Sequence, residues 1–339
     1  MSKPFKKNST FIVAELSANH NNNFDLTVKT IEAMAKSGAD AVKVQTYTAD
    51  SLALDVDNKY FGPLKEGLWK GQRRYDLYKV GSMSWDWQPK LKKIAEKLGL
   101  VFFSSPFDFA AVDFLEKMNV PIYKVASPEI NDIPLIRYIA SKRKPIIFSS
   151  GMASLEDIEL AFKTCREEGN NNISILKCTS QYPAPIEMAN LATIADMKER
   201  FGVEVGVSDH TMGDIVSIVA VSLGAKIIEK HFILDRKLGG PDSAFSMEPQ
   251  EFKKMADNVR LAEKSLGKVD YNLTDKNKKR RRSLFVSEDI EKGEKLTEKN
   301  IRSVRPGYGL PPKYFEKIIG KKAKKKISKG TPLNMELLK

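Results

Sequence analysis

Between residues 10 and 267, short apolar runs with strand character alternate eight times with longer amphipathic patterns. The strand runs are "TFIVAEL", "AVKVQTY", "LVFFSSP", "IYKVAS", "PIIFSSG", "ISILKCTS", "VEVGVSDH" and "AKIIEKHF". Between them lie helical patterns such as "DLTVKTIEAMAKSG", "QPKLKKIAEKLG" and "SLEDIELAFKTCREEG", several closed by a glycine that can end a helix in the left-handed conformation. Eight such units in about 265 residues predict a (β/α)₈ barrel. The competing open doubly wound sheet calls for a G-x-G-x-x-G phosphate turn, which the sequence lacks.

In a barrel the strand C-termini converge on one face, and there the runs turn polar. The first ends in Glu15, Asn19 and His20; the second carries Lys43 and Gln45; the third Ser104 and Ser105; the fourth Lys124, Ser127 and Glu129. Ser149 and Ser150 follow, then Lys177, Thr179, Ser180 and Tyr182, then Ser208, Asp209 and His210, and last Glu229, Lys230 and His231. One polar strand end is uninformative, whereas eight in succession describe a site.

His210 and His231 are two of only three histidines, and each closes one of two neighbouring strands. Adjacent strands run about 5 Å apart, so the two imidazoles can share a divalent cation, with further positions left for water or substrate. Hydrogen bonding to loops, or to Asp209 and Glu229, is the alternative. His20 can equally orient a loop or touch a ligand. Lys43 and Lys124 sit in apolar surroundings where an unpaired ammonium is costly. An anion cradled with Ser105, Ser127, Ser149 and Ser208 would balance them, as would pairing with Glu15 and Glu129. Metal, anion site and free carboxylate together suit polarisation of a carbonyl and addition of a phosphate-bearing nucleophile. Aldolase and phosphotransferase chemistry remain open at this point.

The net charge of +13 is unevenly placed: residues 268–339 hold 21 Lys+Arg against 9 Asp+Glu. The runs "KNKKRRRS" and "GKKAKKKISKG" therefore raise a competing class, a barrel carrying a polyanion-binding module. No apolar run approaches the roughly 18 residues of a membrane span. The basic start is followed by only "FIVA" before Glu15, too short for a secretory signal. A cytoplasmic enzyme is expected. Cys165 and Cys178 lack the spacing of a disulfide or zinc framework and read as reduced core thiols.

The motifs "IVAELSANH", "GADAVKVQTYTADSL", "FFSSPFD", "YKVASPE", "FSSGMAS", "LKCTSQYPAP", "VGVSDHT" and "IIEKHF" resemble, in order, those of the sialic acid synthase family. The final stretch from "RRSLFVSEDIEKGE" resembles the small antifreeze-like (SAF) domain that follows the barrel in those enzymes. The resemblance implies a barrel over residues 1–267, a basic linker over 268–283 and the SAF domain over 284–339. It also implies condensation of phosphoenolpyruvate with the open-chain aldehyde of an N-acetylated amino sugar, giving a nine-carbon 2-keto acid and phosphate by C–O cleavage.

Carried onto this sequence, the resemblance makes His210 and His231 ligands of a divalent cation (Mn²⁺, Mg²⁺ or Co²⁺). It places phosphoenolpyruvate among Lys43, Ser105, Lys124, Ser127, Ser149, Ser180 and Ser208, and puts Glu15 beside the reacting carbons. Gln45, Tyr182 and Asp242 fall at the sugar or its acceptor end, and Glu129 is a further substrate-binding residue. Ser180 stands where many members have Asn, and Pro128 precedes Glu129 where many have Gly. The resemblance further implies a domain-swapped homodimer in which Arg305 serves the partner's acceptor sugar, with no membrane or nucleic-acid partner.

"AELSANH", "QTYTADSL" and the insertion "GLWKGQRRYDLY" are more similar to the pseudaminic acid synthase branch, whose acceptor is 2,4-diacetamido-2,4,6-trideoxy-L-altrose. The alternative branches make N-acetylneuraminate or legionaminate from N-acetylmannosamine or its 2,4-diacetamido analogue. In the insertion, Trp69, Tyr75 and Tyr78 are candidates to line a less polar acceptor pocket or to anchor packing.

Overall fold

Eight parallel strands close on themselves in chain order: β1 (Phe11–Glu15), β2 (Ala41–Thr46), β3 (Val101–Pro106), β4 (Tyr123–Val125), β5 (Ile146–Ser149), β6 (Ile173–Cys178), β7 (Glu204–Asp209) and β8 (Ile227–His231). β1 pairs with β8 over five residues, so the sheet has no free edge. This is the (β/α)₈ barrel that the alternation predicts. The computed structural model describes residues 9–339, which divide into two units, the first ending at Gly267 and the second running from Lys268 to Lys339.

Helices form between the strands because apolar stripes at helical spacing follow good starts. Asn23 accepts from the backbone N–H of Leu26 ahead of helix Phe24–Lys36, and Ser154 with Asp157 makes a reciprocal capping box ahead of Leu155–Glu167. Their buried faces, Ile31 and Met34 in the first and Ile158, Ala161 and Phe162 in the second, pack on the outward residues of the strands in one continuous core. Each fully buried aliphatic side chain there contributes roughly 1.5–3 kcal/mol.

A second core fills the barrel itself with Phe11, Val13, Ala41, Phe103, Ile122, Ile147, Leu176 and Ile227. Gly206 makes room for it, since a Cβ at that position would overlap the Ile227 carbonyl and the Leu176 side chain. Above this layer the inward positions turn polar on every strand. Val13 gives way to Glu15, Ala41 to Lys43, Phe103 to Ser105, Ile122 to Lys124, Ile147 to Ser149, Leu176 to Cys178, Gly206 to Ser208, and Ile227 to Glu229. The apolar plug is thus the floor of the polar mouth.

In the second unit, β9 (Ser283–Val286) pairs antiparallel with β10 (Ile301–Val304) over a small core of Leu284, Val286, Ile290, Leu296, Ile301, Ile318, Ala323, Ile327 and Leu333. Asp275–Lys279 forms one short helix inside the stretch read as linker, and residues 276–282 are exposed. Among the described residues, no helix is long and apolar enough to cross a membrane.

Candidate active site

Strand register brings the charged residues together. Glu15 lies opposite Lys43 on one side and His231 on the other. The Lys43 ammonium is 2.6 Å from Glu15 and 3.8 Å from Glu229, and Lys124 is 3.5 Å from Glu229. Lys124 donates to Ser149 Oγ at 2.5 Å, Ser208 donates to Glu229 at 2.9 Å, and Gln45 bridges Glu15 and Ser17 at 3.1 and 3.0 Å. All four ionisable side chains are essentially sealed from solvent.

Burial and mutual charge set their protonation. Burial pushes the Glu15 carboxyl up to about 7, with Lys43 pulling the other way and Glu229 adding to the rise. For Glu229 burial works in the same direction, but Lys124 and Lys43 outweigh it and hold the group below its ordinary value. Burial lowers Lys124, whereas at Lys43 the pull of Glu15 and Glu229 overcomes burial and raises it. Lys43 and Glu229 are therefore a charged pair, and Glu15 is poised to hold or release a proton near neutrality.

The cluster is incompletely satisfied. Among the described residues, the Ser105 hydroxyl, the second Glu229 oxygen, one Glu129 oxygen and His231 Nδ1 are buried without a hydrogen-bond partner. Native interiors rarely leave such groups unpaired, so their concentration at one barrel mouth points to a polar ligand.

The histidine rings are 5.2 Å apart between centroids. His210 Nδ1 donates to the Thr179 carbonyl at 2.9 Å, which leaves Nε2 as the ring nitrogen that can face a ligand. Burial pushes His231 well below its ordinary pKa, with nearby His210 and Lys43 adding to it, so this imidazole is neutral. Its Nδ1 sits 3.9 Å from an Asp242 oxygen. Burial lowers the His210 pKa, but Cys178 and the Thr179 carbonyl outweigh it and raise it, so His210 would give up its proton on taking a metal; by donor type the two imidazoles then fit a divalent cation. Among the described residues, no group of three or more His, Cys, Asp and Glu is arranged to hold a metal, so a cation here would rest on the two imidazoles and on water or substrate.

The remaining candidates surround this centre. Tyr182 packs on His210 at 4.6 Å, Phe245 on His231 at 4.8 Å, and the two aromatic rings meet at 5.0 Å. Asp242 accepts from the Ala18 backbone N–H at 3.3 Å. Ser127, Ser180 and Cys178 crowd the place that a Cβ on Gly151 would occupy, so glycine keeps that side of the mouth open. Glu129 lies on the short 3₁₀ segment Ser127–Asn131, where burial pushes its carboxyl up to about 7. Arg305 is exposed in the second unit, on the turn after β10.

Several residues are sorted differently from the sequence reading. Ser104, Asp209 and Lys230 point outward: Ser104 bonds Thr46 and the Val44 carbonyl, and Lys230 pairs with Asp209. His20 spends both ring nitrogens on loops, Nδ1 accepting from Asn22 N–H and Nε2 donating to the Gly81 carbonyl. The lysines pair with Glu15 and Glu229, while Glu129 makes no ion pair among the described residues. Glu229, counted among the polar strand ends but given no binding or catalytic role by the sequence, stands two residues before His231 on the same face of the strand and belongs to the charged centre. Cys178 is a mouth residue as well as a buried thiol, 3.9 Å from His210 Nδ1. Burial pushes that thiol up, but His210 outweighs it and brings it down to about 7.

Comparison with known proteins resolves the chemistry left open above. Residues 30–271 match the model of the NeuB family. The chain belongs to the NeuB family. Residues 281–339 of this NeuB-family chain match the SAF domain. It is 46% identical to the pseudaminic acid synthase of Campylobacter jejuni over 95% of each chain, and 44% identical to that of Helicobacter pylori over 96% of each. The crystal structure of the spore coat polysaccharide biosynthesis protein SpsE from Bacillus subtilis superposes with a TM-score of 0.67 at 32% identity, covering 99% of this chain and 96% of that one.

Proposed function

We propose that this NeuB-family chain is a pseudaminic acid synthase, a transferase that condenses phosphoenolpyruvate with 2,4-diacetamido-2,4,6-trideoxy-L-altrose. The near-full-length identity to the Campylobacter enzyme carries this reading, and the charge pattern of the barrel mouth supports it. Lys43 and Lys124 bind the anionic substrate, with the free hydroxyl of Ser105 and those of Ser127, Ser149, Ser180 and Ser208 as neutral donors around it. Each lysine already faces a carboxylate, so the phosphate enters by taking over charge that Glu229 now balances.

The acceptor lies against Tyr182, Asp242, Gln45 and Glu129, its aldehyde toward the histidines. C3 of phosphoenolpyruvate bonds to the aldehyde carbon, water adds at C2, and phosphate leaves with the C2 oxygen. Glu15 moves a proton at the attacking water or holds negative charge beside C2, tasks suited to a carboxyl near 7. His210 and His231 would hold a divalent cation, which when bound supplies Lewis acidity at the aldehyde oxygen. Metal-stripped protein should bind Mn²⁺, Mg²⁺ or Co²⁺ in equilibrium dialysis, and His231→Ala should lose that binding while keeping its circular dichroism.

The reading includes a cytoplasmic homodimer in which Arg305 serves the acceptor in the partner's barrel. Glu15→Ala and Arg305→Ala subunits, mixed and exchanged, should then recover about a quarter of wild-type activity by random pairing. No recovery after confirmed exchange would remove Arg305 from that role. The substrate assignment is tested by offering the trideoxy sugar, its legionaminate-type isomer and N-acetylmannosamine separately with phosphoenolpyruvate, and measuring phosphate and 2-keto acid. Preference for either of the other two sugars would move the protein to a neighbouring branch.

A further inference from the structure

The insertion after β2 folds back on itself over residues 63–73, with Pro63 bridging Arg73 and the Leu64 N–H donating to the Gln72 carbonyl at 2.9 Å. Its three aromatic candidates part company. Tyr75 donates to Asp50 at 3.0 Å, and Tyr78 packs on Tyr47 at 6.2 Å. Trp69, near the tip, packs on Tyr182 at 5.6 Å, and its indole N–H donates to the Pro241 carbonyl at 2.9 Å. The rings thus form a row, His231, His210, Tyr182 and Trp69, leading outward from the candidate metal ligands. The Pro241 bond fixes the indole next to Asp242, so it is anchored at its polar end while its apolar face stays half-buried.

We infer that Trp69 is a specificity-determining residue, closing the acceptor end of the site with an apolar wall that selects a sugar ending in a methyl group over one ending in hydroxymethyl. The inference rests on the proposed function. An acceptor held with its aldehyde at the histidines and its chain along Tyr182 ends at the indole. A 6-hydroxyl placed there would exchange water for an aromatic face that offers it no acceptor, because the one indole donor is already spent on Pro241. A methyl there loses no hydrogen bond and gains contact.

The test compares kcat/KM for the 6-deoxy acceptor with that for its 6-hydroxy analogue, in wild type, Trp69→Phe and Trp69→Ala, with KM for phosphoenolpyruvate as a control. A pocket contact with one carbon group discriminates roughly 10–200-fold. Trp69→Ala should therefore lower the preference for the 6-deoxy sugar by at least about tenfold and leave KM for phosphoenolpyruvate unchanged. Trp69→Phe, which keeps an aromatic wall but removes the bond to Pro241, should hold most of the preference. An equal loss toward both sugars in Trp69→Ala would overturn the inference, since that is the signature of a loop anchor. An unchanged ratio would overturn it too. Failure of the wild-type protein to use the 6-deoxy acceptor would instead defeat the proposed function, so the two failures are separable.

Discussion

Two carboxylate–lysine groups occupy opposite faces of the barrel wall, meeting at Glu229 and Lys230 of β8, and they are finished to different degrees. On the outer face Lys230 reaches Asp209 at 2.7 Å and the carbonyls of Thr211 and Gly213 at 2.5 and 3.0 Å. Asp209 in turn accepts from Thr211 N–H, Thr211 Oγ and Ser217. On the inner face Lys43, Lys124, Glu15 and Glu229 are as deeply buried, yet Ser105, Glu229 and His231 retain unpaired polar atoms. A saturated pair braces a loop against the helix layer. An unsaturated group of the same residue types keeps its remaining valences for a ligand.

The sharpest break in this comparison comes from Lys43→Met. Losing a charged donor at a site of developing charge costs on the order of 10²–10³-fold in rate, and phosphate release from phosphoenolpyruvate should fall by that much. Stability should change little, because Glu15, already near 7, can take a proton rather than stay charged, and Glu229 keeps Lys124 at 3.5 Å. A large drop in Tm with unchanged turnover would reverse the roles of the two groups. Lys230→Met should do the opposite. Breaking a buried pair by removing one partner costs about 3–5 kcal/mol, seen as a lowered urea midpoint, while the protein that stays folded keeps its KM for phosphoenolpyruvate. A raised KM with normal stability would mean that the outer pair also holds substrate.

This division of labour was partly legible in the sequence. The eight-fold alternation gave the barrel, because apolar period and length leave few other ways to bury eight strands. Strand parity was the unused information. Side chains alternate faces, so Glu229 and His231 must share the inner face while Lys230 takes the outer one, and Ser104 and Ser105 must part in the same way. Counting every polar strand end as a mouth residue therefore overcounted the site, and it gave Glu229, one of those ends, no role in it. Cys178 was hidden for the same reason, since a thiol reads as core until parity places it above Leu176. Contacts made by loops were beyond parity: neither the two loop bonds of His20 nor the reach of Trp69 to Pro241 follows from any local period, because each depends on where distant segments meet.

The smallest effect sharpens the contrast at its margin, at Glu129, where one carboxylate oxygen is buried without a hydrogen-bond partner and, among the described residues, no ion pair forms. Burial raises this carboxyl from its ordinary value of 4.5 to about 7. Between those values the unfolded chain has released the proton and the folded chain still holds it. The folded state then binds more protons, so stability falls as pH rises through this window and levels off above about 7. Glu129→Gln keeps the shape and removes the ionisation. Urea unfolding between pH 4.5 and 7.5 should therefore show a shallower decline in the variant, with the two proteins converging at the acid end, where both side chains are neutral. A wild-type curve that rises across this window relative to the variant would mean that Glu129 is stabilised as a carboxylate. It would then belong with the saturated charges of the outer face rather than with the open valences of the mouth.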